Sequence, residues 1–390
     1  MRVGLLLYEV DKRAGMQSQL TRLIPQLEAQ GVAVRVVSTA APRDLRALRG
    51  LPVPGSPATP VVRLPFTRTP AFELAARAWL AAQGGIDVLW GAGWHESLHA
   101  ARIGAASGTP VVARYACSGS HGDFAALARR SDARPLLLRV ARHLCISHEV
   151  REEALAYGLP EERLVHLPNA IEVAAWEREV EPAALPWRGC RVVLFLGRLT
   201  AQKRVDVLLS AFARLLPAAP DARLALCGEG PLRAALEAQA RALELGDRVA
   251  FLGVRSDVLA LHRAASAFVL PSDAEGIPNT LLEALAAGTP AVASDVGGTR
   301  DVLRPDRDGL LVPPGDAEAL AAALGRLLED PALARRLAAS GRARVREEFA
   351  LPLLAGRYPP LFAAAAATGG SARARLPEAL GRALRRLSLL

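Results

Sequence analysis

Short apolar runs rich in valine and leucine alternate with longer amphipathic stretches along almost the whole chain, and nothing else in the sequence limits the fold as strongly. A short apolar run suits a strand buried on both faces, and a helix-period stretch after each one suits a crossover. The chain therefore predicts parallel sheets covered by helices. In the first half the predicted strands are Val3 to Leu7, Val32 to Val37, Val61 to Leu64, Ile86 to Trp90, Pro110 to Arg114 and His143 to Ile146. Helices are predicted over Met16 to Gln30, Phe72 to Ala82, His95 to Ala106 and Glu149 to Tyr157. A stretch bearing Pro and Trp, Ala174 to Gly189, breaks the pattern, and a second set of strands begins at Arg191. These are Val192 to Gly197, Arg223 to Gly228, Arg248 to Gly253, Ala267 to Pro271 and Pro290 to Ser294. Helices follow from about Val205, Leu232, Asp257, Pro278, Asp316 and Pro331.

At 390 residues the chain exceeds one ordinary core, so two doubly wound units are expected. Their extents are 1–180 and 190–350, with 351–390 as a helical segment ending in a basic tail. Ligands of such sheets bind near the carboxyl ends of the strands, so the expected site lies in a cleft between the two units. Residues 40–70 carry many prolines and read as an irregular loop with one strand inside it.

Composition narrows the classes. Apolar residues make up 51% and charged residues 22% of the chain, enough to build sizeable cores. No apolar stretch approaches the roughly 18 residues a membrane span needs. Met1 to Leu7 meets a polar loop at once and reads as a first strand rather than a signal peptide. Cys117, Cys145, Cys190 and Cys227 are scattered singly, which suits reduced thiols in a cytoplasmic protein and offers no zinc spacing. A formal net charge of +9 suits anionic partners such as sugar phosphates or lipid head groups. No basic pattern points to nucleic-acid recognition.

The strongest local feature runs from Leu270 to Glu283 and closes at Gly288. A strand ends, a turn holding Gly276 follows, Pro278 takes a first helical position, and Gly288 caps the far end. Amides near Gly276 and Ile277 then lie at a helix N-terminus, a ready site for a phosphate. Glu275 and Glu283 could be read as a hydrolase's acid and base. Eight residues at helical rise set them roughly 12 Å apart, beyond the about 5 to 9.5 Å that hydrolases use. Two carboxylates that far apart suit one extended ligand, although a solvated acidic helix start would look the same. A second feature, Val192 to Asp206, carries a buried strand into Gly197 and then Arg198 and Lys203. A planar fork and a point charge at a helix mouth can stabilise a leaving diphosphate, though a pair of surface cations also fits the pattern.

Together these residues resemble the retaining glycosyltransferases of family four, which have the two-domain GT-B fold of facing Rossmann-like halves. The spacing of Glu275 and Glu283 matches that family's paired-glutamate motif. So do the Gly197-Arg198-Leu199 run with Lys203, the Cys227-Gly228-Glu229-Gly230-Pro231 and Phe251-Leu252-Gly253 runs, Gly288-Thr289-Pro290, Gly297-Gly298 and Asp308 to Val312. The match is strong from about Arg191 to Phe349 and looser before it. The resemblance implies a nucleotide-sugar donor and a glycan or lipid-linked acceptor, in polysaccharide and cell-envelope synthesis. It implies no metal and no other cofactor. Arg198 and Lys203 would hold the donor diphosphate, and Glu275 would contact the transferred sugar with the amides of Gly276 and Ile277. Glu283 would bind the ribose. Gly197, Gly228, Glu229 and Gly230 would line the nucleotide pocket, with the base near Val254.

The first half departs from that pattern. The usual glycine pair of the first loop is reduced to Ala14-Gly15-Met16, which leaves Gly15 as one backbone approach point. The usual histidine after the fifth strand is absent, and Tyr115 to Asp123 stands there with a Ser-Gly-x-x-Gly-Asp turn. His95 and His121 are the acceptor-side candidates, each with an ordinary structural reading beside it. Asn169 sits in a turn whose expected job is hinge geometry. Residues 371–390 alternate Arg and Leu at helical spacing. They could lie on anionic lipid at the inner membrane face or pack as an ordinary helix. Rival readings are a catalytically silent nucleotide-sugar-binding subunit, an epimerase or a phosphorylase on a similar scaffold, and an NAD enzyme. The last lacks a GxGxxG after either first strand.

Overall fold

The computed structural model describes residues 1–7, 15–39, 59–64, 70–119 and 122–369. Two compact units result, one built from the described residues of 1–170 with 351–369, the other from Ile171–Ala350.

The first unit has seven strands: β1 (Arg2–Leu7), β2 (Ala33–Thr39), β3 (Val61–Leu64), β4 (Val88–Ala92), β5 (Val111–Tyr115), β6 (Arg142–Cys145) and β7 (Leu164–His166). All pair in parallel, in the order β3-β2-β1-β4-β5-β6-β7. Val3, Leu5 and Leu7 enter one buried cluster and Leu6 the cluster on the other face. Burial on both faces is why β1 reads as an unbroken apolar run rather than an alternation.

The second unit has six parallel strands: β8 (Arg191–Leu196), β9 (Ala222–Cys227), β10 (Val249–Gly253), β11 (Ala267–Leu270), β12 (Ala291–Ser294) and β13 (Leu310–Val312). Their order is β10-β9-β8-β11-β12-β13. The helices Val205–Leu215 and Ala317–Glu329 cover one face, where Leu208, Phe212 and Leu324 meet Val193, Phe195 and Val269. In both sheets the chain winds outward from a central strand and then restarts on that strand's other side. Loops leave these switch points, β1/β4 and β8/β11, in diverging directions and open a crevice at the carboxyl ends.

Several elements differ from expectation for identifiable reasons. β7 and β13 span three residues each, too few for a period to register in sequence. The segment expected to link the halves belongs to the second unit. Its helix Val173–Glu177 is tied down by Arg263, which donates to the Trp176 and Arg178 carbonyls at 3.1 Å, and Trp187 donates to the Asp247 carbonyl at 2.6 Å. Residues 351–366, expected to stand apart, supply Leu354, Tyr358 and Phe362 to the first unit's core, with Tyr358 and Phe362 against Trp90. Pro278 is the N-cap, with extended ψ of 114°, and the helix runs Asn279–Ala287, so Pro278 is not its first residue. Most of the 40–70 loop, His121 and the basic tail 371–390 lie outside the described residues. No helix among the described residues is long and apolar enough to cross a membrane.

Candidate functional site

In the second unit four loops converge at the carboxyl ends of β8, β9, β11 and β12. The turn after β8 and the turn after β9 touch backbone to backbone. The Gly197 amide donates to the Cys227 carbonyl at 3.0 Å, and the Leu199 amide to the Glu229 carbonyl at 2.9 Å. Gly228 sits at φ 142°, and a Cβ on it would fall 1.8 Å from the Gly197 oxygen. A Cβ on Gly230 would fall 2.3 Å from the Leu199 oxygen. No side chain fits in either place, so the glycines permit two loops to share one surface. Glu229 forms an ion pair with Arg233 one turn later, and Val254, at the end of β10, is 77% exposed.

The loop after β11 closes on the loop after β8. The Asp273 amide donates to the Gln202 carbonyl at 2.9 Å, and Gln202 Nε2 donates to the Ala274 carbonyl at 2.7 Å. Lys203 Nζ then reaches Glu275 Oε1 in an ion pair, both groups largely buried. A buried, hydrogen-bonded pair of this kind is held in place by its surroundings rather than by solvent-screened attraction. Gly298, on the helix that follows β12, donates to the Glu275 carbonyl at 3.1 Å and fixes the backbone of the Glu275–Gly276–Ile277 turn. Ile277 is buried and Gly276 partly so. Glu283, half-buried, stands on the following helix. Only Asn279 to Glu283 of the span between the two glutamates is helical, so helical rise does not set their whole separation. Arg198 is exposed, and among the described residues no carboxylate pairs with it. The hydroxyls of Thr200 and Ser272 are buried beside these loops with no hydrogen-bond partner among the described residues. Nothing in the sequence marked them, because burial of a small polar side chain has no local signature.

In the first unit Gly15 opens the helix Gly15–Ala29, and the next residue, Met16, lies against Gly93, which begins the helix Trp94–Ser107 at φ 91°. Both helix starts leave the β1/β4 switch point. His95 is half-buried there, its Nδ1 3.4 Å from Glu96 Oε1 and its ring edge-on to His99 at 4.6 Å. Behind it His99 Nδ1 meets Glu73 at 2.8 Å, and Arg102 donates to Glu73 at 3.1 Å. The carboxylate of Glu73 is held below its ordinary range, burial being outweighed by His99 and Arg102. Asp123, quoted in the sequence as the end of a turn, is buried and accepts from the Ala116 and Cys117 amides. Burial pushes its carboxyl up to about 6 despite those bonds and the Arg114 charge. Glu149 accepts from Ser118 Oγ at 2.7 Å and Glu153 from the Gly119 amide at 2.6 Å, so the turn is braced from the helix His148–Ala156. Asn169 accepts from the buried Arg114 at 2.6 Å.

The candidates Gly197, Arg198, Lys203, Gly228, Glu229, Gly230, Glu275, Gly276 and Ile277 thus lie on loops of one strand-end surface in the second unit. Gly15 and His95 share a corresponding place in the first.

Residues 13–175 match the family described as Glycosyltransferase Family 4, and residues 177–344 match Glycosyl transferases group 1. The phosphatidyl-myo-inositol mannosyltransferase of Mycobacterium leprae is 32% identical over 367 residues, covering 89% of this chain and 92% of that protein. Among solved structures, sucrose-phosphate synthase from Thermosynechococcus elongatus superimposes with a TM-score of 0.78 at 25% identity, over 94% of this chain and 100% of that one. Anabaena HepE in complex with UDP and glucose gives a TM-score of 0.78 at 19% identity, over 93% and 99%.

Proposed function

This chain belongs to glycosyltransferase family 4 and has the GT-B fold, and from that premise we propose that it moves a sugar from a nucleoside-diphosphate sugar to a hydroxyl acceptor, with retention and without a metal ion. One observation carries the reading. Lys203 and Glu275, 72 residues apart, meet at the β8/β11 switch point, where a ligand of such a sheet belongs.

In this reading the donor diphosphate replaces Glu275 as the partner of Lys203, with Arg198 as the second cation and the Gly276 and Ile277 amides beside them. Glu275 is then released to accept from hydroxyls of the transferred sugar. Glu283 takes the ribose, Gly228, Glu229 and Gly230 line the nucleotide, and Val254 lies under the base. The bond from the sugar's anomeric carbon to the diphosphate breaks, and negative charge flows onto groups already facing cations. The acceptor oxygen forms the new bond on the same face, and its proton leaves to the departing diphosphate. Preorganised charge and placement supply most of the rate in such a step. HepE crystallised with UDP and glucose supports the donor class, and the mannosyltransferase relatives support a lipid-linked acceptor among saccharide and small-molecule ones. The net charge of +9 suits a cytoplasmic enzyme that touches an anionic membrane face through its basic tail.

The test is nucleoside diphosphate release from a panel of UDP-, GDP- and ADP-sugars, with melting temperature followed on the same samples. The wild type is expected to release nucleotide slowly, and Glu275→Ala to fold normally and release none. Donor-induced stabilisation with no release by the wild type would make the chain a silent binder. Undiminished turnover in Glu275→Ala would remove the site assignment.

A further inference from the structure

Arg204, next to Lys203, has backbone angles φ 46° and ψ 43°. That left-handed conformation is unfavourable for any residue with a Cβ and is free for glycine. The side chain explains what occupies the position. Nη1 of Arg204 donates to both carboxylate oxygens of Asp273, at 2.9 and 3.0 Å, while Nε reaches Asp206 at 3.2 Å. Asp273 lies two residues before Glu275, and Arg204 one residue after Lys203. The Nη1 contact therefore spans the two loops beside the pair that the proposed reaction uses. Arg204 and Asp273 are 30% and 45% exposed, and ion pairs so exposed contribute little to stability. A strained residue held for a contact that barely stabilises the fold points to geometry as its purpose.

We propose that Arg204 is a positioning residue: its Nη1 contact with Asp273 locks the β8 and β11 loops in the register that sets Lys203 against Glu275, and so governs turnover rather than donor affinity. The proposal rests on the glycosyl-transfer reading above. Neither Arg204 nor Asp273 touches the donor in that reading.

Arg204→Gly tests it, because the change removes both the contact and the backbone strain, so loss of folding cannot stand in for loss of function. Nucleotide release is measured on the donor the wild type turns over fastest, and UDP and GDP binding by calorimetry. The expected result is a melting temperature at or above the wild type's, nucleotide affinity within threefold, and kcat at least tenfold lower. Asp273→Ala, which removes the acceptor, is expected to match it in kcat. The double variant is expected to be no worse in kcat than Arg204→Gly, since both changes break the Arg204–Asp273 contact. A kcat within twofold of wild type in Arg204→Gly, or additive losses in the double variant, overturns the proposal and leaves the site standing. Turnover persisting in Glu275→Ala, or no release by the wild type from any donor, removes the site and this role with it.

Discussion

Gly298→Ala gives the sharpest link between packing and catalysis in this protein. A Cβ on Gly298 would fall 1.5 Å from the Gly276 oxygen and 2.4 Å from its carbonyl carbon, and real Cβ contacts essentially never fall below 3.0 Å. Either the 275–277 turn or the start of the helix Gly297–Val302 must then move by about 1.5 Å, the difference between the two distances. Gly298 has no left-handed φ, so alanine carries no backbone penalty, and helix propensity favours it by about 1 kcal/mol. Overpacking opposes that gain by about 1–3 kcal/mol. The net loss of stability is therefore about 0–2 kcal/mol, or at most about 8 °C for a unit of this size. Misplacing a reacting group by about 1 Å costs about 10²-fold in rate, or about 2.7 kcal/mol of barrier. Steady-state nucleotide release read beside thermal melting should therefore show kcat/KM falling about a hundredfold with only a modest shift in Tm. Gly325, inside the helix Ala317–Glu329 with its nearest Cβ neighbour at 3.6 Å, supplies the matched control. Gly325→Ala should keep full activity and gain about 0.5–1 kcal/mol. A Gly298→Ala enzyme within threefold of wild type would refute the claim that this turn is fixed by the glycine contact.

Asp308 is fully buried and accepts from Arg304 Nη2 at 2.8 Å, Ser340 at 2.7 Å and Arg344 at 3.1 Å. Burial would raise its carboxyl, but those bonds outweigh it and hold the group well below the ordinary range. Asp308→Ala leaves the buried Arg344 with only the half-exposed Glu348 and the Asp301 carbonyl as partners, so chemical denaturation should record a loss of about 3–5 kcal/mol, and a loss below about 1 kcal/mol would contradict the account. Asp123 behaves in the opposite sense. Its folded value near 6 lies above the unfolded value of about 3.9, so its contribution is fully present below pH ~4 and is lost as pH rises through about 6. Arg114 and Glu96 are the other charges acting on it. Urea unfolding from pH 4 to 7.5 should show Asp123→Asn gaining on the wild type by up to about 3 kcal/mol as pH rises. A pH-independent difference would rule out burial as the cause.

Much of this protein is written locally. The runs of β1 and β8 are apolar throughout because both sheet faces are covered, and that pattern survives without knowledge of any partner. Helix starts are equally local: Asp316 and Asp330 cap their helices through amides two and three residues on. The spacing of Glu275 and Glu283 and the run Gly197 to Lys203 can be read from neighbouring residues, and so could be recognised as one family's pattern. Other features have no local trace. Lys203 meets Glu275, Gly228 lies under the Gly197 carbonyl, Gly298 lies under Gly276, and Arg344 closes on Asp308. Each joins segments brought together by strand order, which places β11 beside β8 rather than beside β10. The return of residues 351–366 to the first unit belongs with these. Period and capping report what a residue needs from its own helix or strand, whereas the need for a glycine, a buried charge or a paired lysine comes from whatever backbone lies opposite, and only the folded chain decides that.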